Sequence, residues 1–311
     1  MSFYVPRPGD ILSHDIADYP EGIVLPVDKP YRWTSADVIR KLKWKAIRHF
    51  GKKNLKVGHA GTLDPLATGI LLVCIGDACK KAQMLQDHDK EYIAGIRFGA
   101  TTPSYDLEKD VDRRLPCEHI TADAVRNALP AFLGEQEQVA PLFSAKSVDG
   151  VRAYELARKL YRTGRTDELD ATALDSLQRN KINISDLELL EFEAEEVLPF
   201  EVGSAPLLSP CGSRPISPPS SDTASAGRSD ERVSTSSASN RINVADTSGL
   251  GLPEARVRIA CSKGTYIRAF ARDLGEALGS GAHLSSLVRS RSGDFTNKDA
   301  LSLEQALSLF D

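Results

Sequence analysis

Long apolar runs are missing from this 311-residue chain. No apolar stretch approaches the roughly 20 residues that a helix needs to cross a bilayer, which excludes a membrane-spanning class. The first ten residues contain no apolar segment typical of a secretion signal. The five cysteines include no Cys-x-x-Cys pair, and their odd number indicates reduced thiols rather than a disulfide framework. We therefore expect a globular protein of the cytoplasm.

Two common site signatures are also missing near the most distinctive segment, Gly58–Gly69, which reads GHAGTLDPLATG. No Gly-Lys-Ser/Thr sequence follows at the spacing of a phosphate-binding P-loop. His59 and Asp64 are five residues apart, and no third ligand lies close enough in the sequence for a zinc site. We expect no metal ion at this segment.

The segment does present one carboxylate, that of Asp64, with unusual backbone constraints. Gly61 allows a sharp turn, and Pro65 restricts Asp64 to extended conformations. The apolar run 70–75 follows and predicts a buried strand. Such a carboxylate is either an ordinary turn residue or a functional group held on a rigid loop, and the residue pattern alone leaves both interpretations open.

A net charge of −4 argues weakly against a nucleic-acid partner, but the distribution of charge matters more. Between Asp37 and Asp64 the chain has no acidic residue and eight basic ones: Arg40, Lys41, Lys43, Lys45, Arg48, Lys52, Lys53 and Lys56. This basic run is either a solvated helix face or a surface that follows a phosphate backbone. Its position directly before Gly58 favours the phosphate surface.

Periodicity predicts strands and helices without strict alternation. Apolar or alternating runs predict strands, and Thr34 or Ser35, Thr121, Thr265 and Ser302 are expected to begin helices; a short helix is also predicted over 154–161. The pattern indicates an α+β fold, in which helices pack against a sheet. Residues 201–253 are rich in serine and almost free of aromatic residues, so we expect a disordered insertion there.

Several segments resemble one family in the same order. Gly58–Gly69 is similar to the catalytic motif of the bacterial tRNA pseudouridine synthases of the B type, which modify the uridine of the T-loop. The other matching segments are Val27–Pro30 with Trp33–Ser35, Lys90–Tyr92, Phe98–Asp106, Ala140–Lys146, Gly150–Tyr154, Cys261–Arg268 and Asp273–Gly275. The resemblance covers roughly Gly22–Ala194 and Ala255 to the end. Several motifs that match in the same order identify a family far more specifically than a single motif does.

The resemblance implies a pseudouridine-synthase-like α+β fold with a mixed, largely antiparallel sheet flanked by helices. It assigns residues 1–200 and 255–311 to one catalytic domain, interrupted by the insertion at 201–254. Many relatives carry a further RNA-binding domain of the PUA type at the C-terminus. This sequence stops about where that domain would begin, so we expect none.

The implied reaction is the isomerisation of uridine to pseudouridine at position 55 of tRNA. It involves no redox change, so we expect no cofactor. The resemblance makes Asp64 the catalytic residue, with Arg268 as the cation that pairs with it. Asp64 could attack C6 of the base, attack C1′ of the ribose or help to remove a sugar proton, and the sequence leaves these routes open.

The remaining roles also follow from the resemblance. Tyr92 would stack on the flipped uridine, Tyr266 and Leu287 would line its pocket, and His59 would contact the RNA nearby. Apart from the resemblance, the basic run predicts phosphate contacts by Lys52, Lys53 and Lys56, and Lys263 is a further candidate for such a contact. Lys29 and Pro30 are expected to support the active loop. We expect a monomer that binds the T stem-loop. There are two alternatives. One is a tRNA-binding folding helper without turnover, and the other, more remote, is a metal-dependent hydrolase that uses His59 and Asp64.

Overall fold

The computed structural model describes residues 3–141, 147–148, 151–152, 179–194 and 242–311. The predicted helix over 154–161 lies outside the described residues, as do residues 201–241 of the predicted insertion and parts of the motifs at 140–146 and 150–154.

Thirteen strands occur in the described part of the chain. They are β1 (Ile23–Lys29), β2 (Val57–His59), β3 (Thr68–Ile75), β4 (Lys90–Phe98), β5 (Ala100–Thr101), β6 (Arg113–Arg114), β7 (Gly134–Val139), β8 (Ser147–Val148), β9 (Val151–Arg152), β10 (Arg179–Glu193), β11 (Glu254–Cys261), β12 (Ala282–Ser292) and β13 (Phe295–Thr296).

Five α-helices and four short 3₁₀ helices accompany these strands within the described ranges. The α-helices are α1 (Ser35–His49), α2 (Ala82–Asp87), α3 (Ala122–Ala128), α4 (Ile267–Ala277) and α5 (Leu303–Ser308). The 3₁₀ helices are Ile16–Asp18, Gly76–Lys81, Leu129–Phe132 and Ser248–Leu250.

Nine strands form one sheet in the order β1-β3-β12-β4-β11-β10-β7, with β2 paired to β3 and β13 to β12. Every pairing in it is antiparallel except that of β12 with β3. The predicted α+β fold with a mixed, largely antiparallel sheet is therefore confirmed. Strand β3 has β1 along one edge and both β2 and β12 along the other, so the chain between β2 and β3 passes close to β12.

Strand β3 separates two apolar layers because its side chains alternate between the faces of the sheet. Leu71, Val73 and Ile75 enter the main core, which also receives the apolar faces of α1 and α4. Ile70 and Leu72 belong to a smaller cluster on the other face. The apolar run 70–75 is thus buried on both sides, as the sequence predicts for a core strand.

Local capping sets the helix starts near the sequence-predicted positions. The Thr34 hydroxyl accepts a hydrogen bond from the Asp37 amide at 3.1 Å, and the Asp37 carboxylate accepts one from the Thr34 amide at 3.2 Å. Thr121 and Ser302 cap α3 and α5 as predicted. Helix α4 begins at Ile267, two residues after the predicted Thr265.

Residues 242–253, which composition placed in the disordered insertion, pack against the sheet, so the prediction of disorder is wrong for them. Ala245 and Leu252 are buried. The Ala245 amide donates to the Leu107 carbonyl at 2.8 Å, and the Pro253 carbonyl accepts from the Phe98 amide at 3.0 Å. The serine-rich average over the whole predicted insertion concealed these apolar positions at its end.

No helix within the described ranges is both long and apolar enough to span a membrane.

Candidate active site

The loop that carries Asp64 connects β2 to β3, and side chains from several elements hold its backbone. The Ser35 hydroxyl, at the start of α1, donates to the Leu63 carbonyl at 3.1 Å and accepts from the Leu63 amide at 3.0 Å. The Ala67 amide closes a turn on the Asp64 carbonyl at 3.1 Å. Backbone groups in this loop are therefore paired on both sides of the carboxylate, which limits its freedom to move.

Lys29 holds the other side of Asp64 from inside the protein. Its fully buried ammonium donates to the carbonyls of Pro65 at 3.1 Å, Trp33 at 2.7 Å and Pro30 at 3.0 Å. Burial lowers the pKa of Lys29 to about 8, although the Asp64 carboxylate nearby opposes this shift. The supporting role expected for Lys29 agrees with these contacts.

Arg289 on β12 reaches the same loop through the sheet. Its guanidinium donates to the carbonyls of Ile70 at 2.6 Å, Gly61 at 3.1 Å and Thr62 at 3.5 Å, and only 1% of the residue is exposed. Gly69 lets the backbone of β12 lie close to β3 at Arg289, because a Cβ at Gly69 would lie 2.3 Å from the Arg289 carbonyl oxygen. Sequence reasoning missed Arg289, since an arginine in the run Leu287–Arg291 gives no sign of facing inwards.

The Asp64 carboxylate is bound by both arms of the Arg268 guanidinium. Nε lies 2.9 Å from Oδ2 and a terminal nitrogen lies 3.0 Å from Oδ1. The Arg268 side chain is 5% exposed, whereas that of Asp64 is 36% exposed. Burial lowers the pKa of Arg268, but the carboxylates beside it outweigh burial and leave the pKa raised, so the guanidinium stays charged. The pairing expected of these two residues is present.

A second carboxylate, that of Asp106, faces the same guanidinium from 3.8 Å and is buried. Burial raises the pKa of Asp106, while the charge of Arg268 lowers it; the net shift is upwards. The neighbouring Tyr105 has a backbone φ of 59°, in the left-handed region that residues other than glycine rarely adopt. The sequence placed Asp106 in a family-like segment but assigned it no role.

Of the three apolar and aromatic residues expected to bind the base, two lie on neighbouring strands and the third lies two residues before Arg268. Tyr92 on β4 stands opposite Arg289 on β12, and Leu287 lies two residues before Arg289 on the same face of the sheet. Leu287 is buried and Tyr92 is half-buried. Tyr266 directly precedes α4, and the Gln138 side chain holds its amide at 2.8 Å and its carbonyl at 3.1 Å.

His59 is the last residue of β2 and is half-buried. Burial lowers its pKa, and the positive charge of Arg289 adds to that effect, so both favour the neutral imidazole. Its Nδ1 atom is buried and has no hydrogen-bond partner in the part of the chain that the structure describes.

The basic run is only partly neutralised. Arg40 pairs with Asp37 at 2.7 Å and Lys45 pairs with Asp311. Lys43, Lys53 and Lys56 line a cleft of about 460 Å³ that also reaches Gly58. Within the described ranges, these three lysines and Lys52 form no ion pair. Gly58 lies six positions before Asp64, so their Cα atoms are at most about 22 Å apart.

Lys263 lies apart from this cleft, in the turn before α4. It is exposed, and its ammonium pairs with Asp87 at 2.8 Å. In the portion of the chain described by the structure, no group of three or more His, Cys, Asp or Glu residues is arranged to hold a metal ion.

Two family models match this chain. The model of the TruB family pseudouridylate synthase N-terminal domain matches residues 48–204. The model of the tRNA pseudouridylate synthase B C-terminal domain matches residues 268–310. Together these matches include both Asp64 and Arg268.

Curated relatives are similar over most of their length. The tRNA pseudouridine synthase B of Phocaeicola vulgatus is 42% identical over 287 residues, which is 92% of each chain. The protein of the same name from Thermus thermophilus is 38% identical over 285 residues, covering 92% of this chain and 75% of that protein.

Solved structures share the fold at lower identity. A chain in a Cbf5-Nop10-Gar1 complex matches with a TM-score of 0.51 at 22% identity, and one in an H/ACA RNP bound to a substrate RNA matches with 0.50 at 20%. Each match covers 93% of this chain, which spans about half the length of those chains, 53–54%.

The lowered pKa of Lys29 makes stability depend on pH. Between about pH 8 and the ordinary pKa of 10.5, the unfolded chain holds a proton that the folded protein has released. Unfolding then takes up a proton, so stability rises with pH. We predict that the unfolding free energy of the protein, relative to Lys29→Met, increases by about 2–3 kcal/mol from pH 7 to pH 10 in urea titrations.

The exposed Lys298 provides the matched control, because Lys298→Met removes a lysine that is already solvated. Its unfolding free energy should follow that of the unchanged protein at every pH. A constant difference between the protein and Lys29→Met from pH 7 to pH 10 would contradict a lowered pKa for Lys29.

Proposed function

The chain belongs to the TruB family of pseudouridine synthases, and from that premise we propose that it isomerises the T-loop uridine of tRNA to pseudouridine, with Asp64 as the reacting group. The observation that carries this proposal is the bidentate ion pair of Asp64 with the buried Arg268. The guanidinium binds both carboxylate oxygens and so fixes their orientation. The exposed third of the Asp64 side chain leaves it open to a substrate.

The reaction rearranges atoms within one nucleotide. The bond from N1 to C1′ breaks, the base turns, C5 forms a new bond to C1′ and loses its proton, and N1 gains a proton. The product is an isomer of the substrate, so electrons balance without an oxidant or a reductant. An ionised, oriented carboxylate can attack C6, attack C1′ or accept a sugar proton, and the Asp64 geometry is compatible with each role.

The target base must leave the RNA stack to reach Asp64, which requires a surface to receive it. Tyr92 and Leu287 share one face of the sheet and would supply an aromatic ring and an apolar surface to the base, and Tyr266, two residues before Arg268, would supply a second ring. The half-buried His59, at the end of β2, would contact the RNA next to the flipped nucleotide.

The phosphate backbone is the partner that we propose for the lysine-lined cleft and its neighbour Lys52. Lys53 and Lys56 line this concave surface and Lys52 adjoins it, and the cleft begins within reach of the Asp64 loop. Lys263, in the turn before α4, would give up its ion pair with Asp87 and bind a phosphate instead. We propose that the protein acts as a monomer in the cytoplasm, where tRNA is its substrate.

Replacing Asp64 with Asn tests the reacting group. The amide keeps the shape of the side chain and removes its charge, so we expect no detectable pseudouridine in single-turnover reactions with a T-arm transcript. RNA affinity should stay within about threefold, because Asp64 is not a phosphate contact. Release of tritium from C5-labelled uridine measures turnover, and filter binding measures affinity.

Asp123→Asn is the matched control, because Asp123 is an exposed partner of Arg126 on α3, outside the site. It should react at the unaltered rate. If Asp64→Asn kept even a few per cent of the single-turnover rate, Asp64 would be a turn residue. An unaltered protein that binds the transcript without tritium release would instead favour the RNA-folding helper.

The basic cleft predicts a salt-dependent affinity. We expect the triple change of Lys52, Lys53 and Lys56 to Ala to weaken RNA binding by about tenfold or more at low salt while leaving the rate at saturating protein within about threefold. The slope of log affinity against log salt should fall by about 0.7–0.9 for each phosphate that the variant no longer neutralises.

A charge-matched control removes Arg126, Lys181 and Lys298, which are exposed elsewhere on the protein. This triple-Ala variant has the same net charge but should keep the original salt slope. Equal decreases in affinity for the two triple variants would mean that overall charge, and not the cleft, sets the affinity.

A further inference from the structure

Arg289 is a buried cation that the proposed chemistry leaves without a role. Its charge forms no ion pair with any residue in the described ranges, and its guanidinium donates to the backbone carbonyls of Gly61, Thr62 and Ile70. Burying a guanidinium without a carboxylate is costly, so this arrangement costs stability that an apolar residue would not. Such a cost in stability is expected where a buried charge serves to hold the backbone around it in one arrangement.

The carbonyls it binds lie on both sides of Asp64. Gly61 and Thr62 precede the aspartate, and Ile70 follows it on β3. One planar guanidinium therefore ties together the two limbs of the loop. Lysine cannot do this equally well, because its ammonium is a single point of charge on a flexible stem.

Arg289 differs from the other residues that hold the loop in where it is anchored. Ser35 and Lys29 reach the loop from α1 and β1. Arg289 belongs to β12, where it faces Tyr92 across the strand pair and shares a sheet face with Leu287. Its side chain therefore links the aspartate loop directly to the strands that carry the proposed base-binding residues.

Its charge also acts on the neighbouring polar groups. The positive charge of Arg289 partly offsets the rise that burial causes in the pKa of Tyr92. It adds to burial in lowering the pKa of His59. Arg289 thus contacts the Asp64 loop and also lowers the pKa values of His59 and Tyr92 through its charge.

We propose that Arg289 is a positioning residue for the isomerisation: it sets the distance between the Asp64 carboxylate and the base held by Tyr92 and Leu287, by tying the Asp64 loop to β12. The inference rests on the proposed function for its rate effect, but the loop geometry it asserts does not depend on turnover.

The test compares Arg289→Met and Arg289→Lys in single-turnover reactions with the T-arm transcript. A misplacement of about 1 Å can cost about 10²-fold in rate, so we expect a decrease of about 100-fold for Met and a smaller decrease, about tenfold, for Lys. RNA affinity should stay within about threefold for both, because the side chain is buried. Circular dichroism establishes folding, and Arg289→Lys, which keeps the charge, decides the rate result if Arg289→Met does not fold.

Arg291→Met is the matched control on the same strand. The Arg291 guanidinium donates to the Gly293 carbonyl at 3.4 Å, away from the Asp64 loop. This variant should react within about threefold of the unaltered rate. A folded Arg289→Met with a rate within threefold, or an equal decrease in Arg291→Met, would overturn the proposal.

A second readout separates this inference from the proposed function. Hydrogen exchange at the amides of 61–64 should accelerate by about tenfold or more in the Arg289 variant that folds, and not in Arg291→Met. The pKa of His59, followed by NMR, should rise in Arg289→Met and stay low in Arg289→Lys. An unaltered protein without activity would contradict the proposed function, while unchanged exchange at 61–64 would overturn the role of Arg289.

Discussion

The ion pair between Asp64 and Arg268 is the interaction on which the rest of the site depends. Arg268 is fixed in the first turn of α4, and its third donor binds the Ser104 carbonyl at 3.2 Å, so the guanidinium has little freedom. The backbone on either side of Asp64 is fixed by Ser35, which binds Leu63, and by Lys29, which binds Pro65. The carboxylate is therefore held both through its side chain and through its loop, which is how a reactive group gains a defined direction.

Charge explains why this pair is stable in a largely buried place. Arg268 is shared by two carboxylates, and they outweigh the effect of burial on its pKa. Asp106 is the more buried of the two, and its raised pKa shows that burial exceeds the attraction of Arg268 there. Asp64 is more exposed and makes the closer contact with Arg268, at 2.9 Å against 3.8 Å for Asp106.

Much of the architecture could be predicted from local patterns. The alternation in β4, the caps at Thr34, Thr121 and Ser302, and the glycine-rich loop before a buried strand all follow from neighbouring residues. The contacts that complete the site do not. Ser35 meets Leu63 across 28 residues and Arg289 meets Thr62 across 227, and such pairings depend on sheet topology that periodicity does not encode. Packing of 242–253 was missed for the same reason, because Leu107 and Phe98 supply its partners.

The most direct test of this account is the single-turnover rate of Arg268→Lys on a T-arm transcript. Lysine keeps the positive charge beside Asp64 but cannot bind both carboxylate oxygens in a planar, bidentate arrangement. If orientation of Asp64 by Arg268 is central, the rate should fall by about 100-fold while RNA affinity and folding stay close to those of the unaltered protein. A folded Arg268→Lys protein that forms pseudouridine at the unaltered rate would contradict the account.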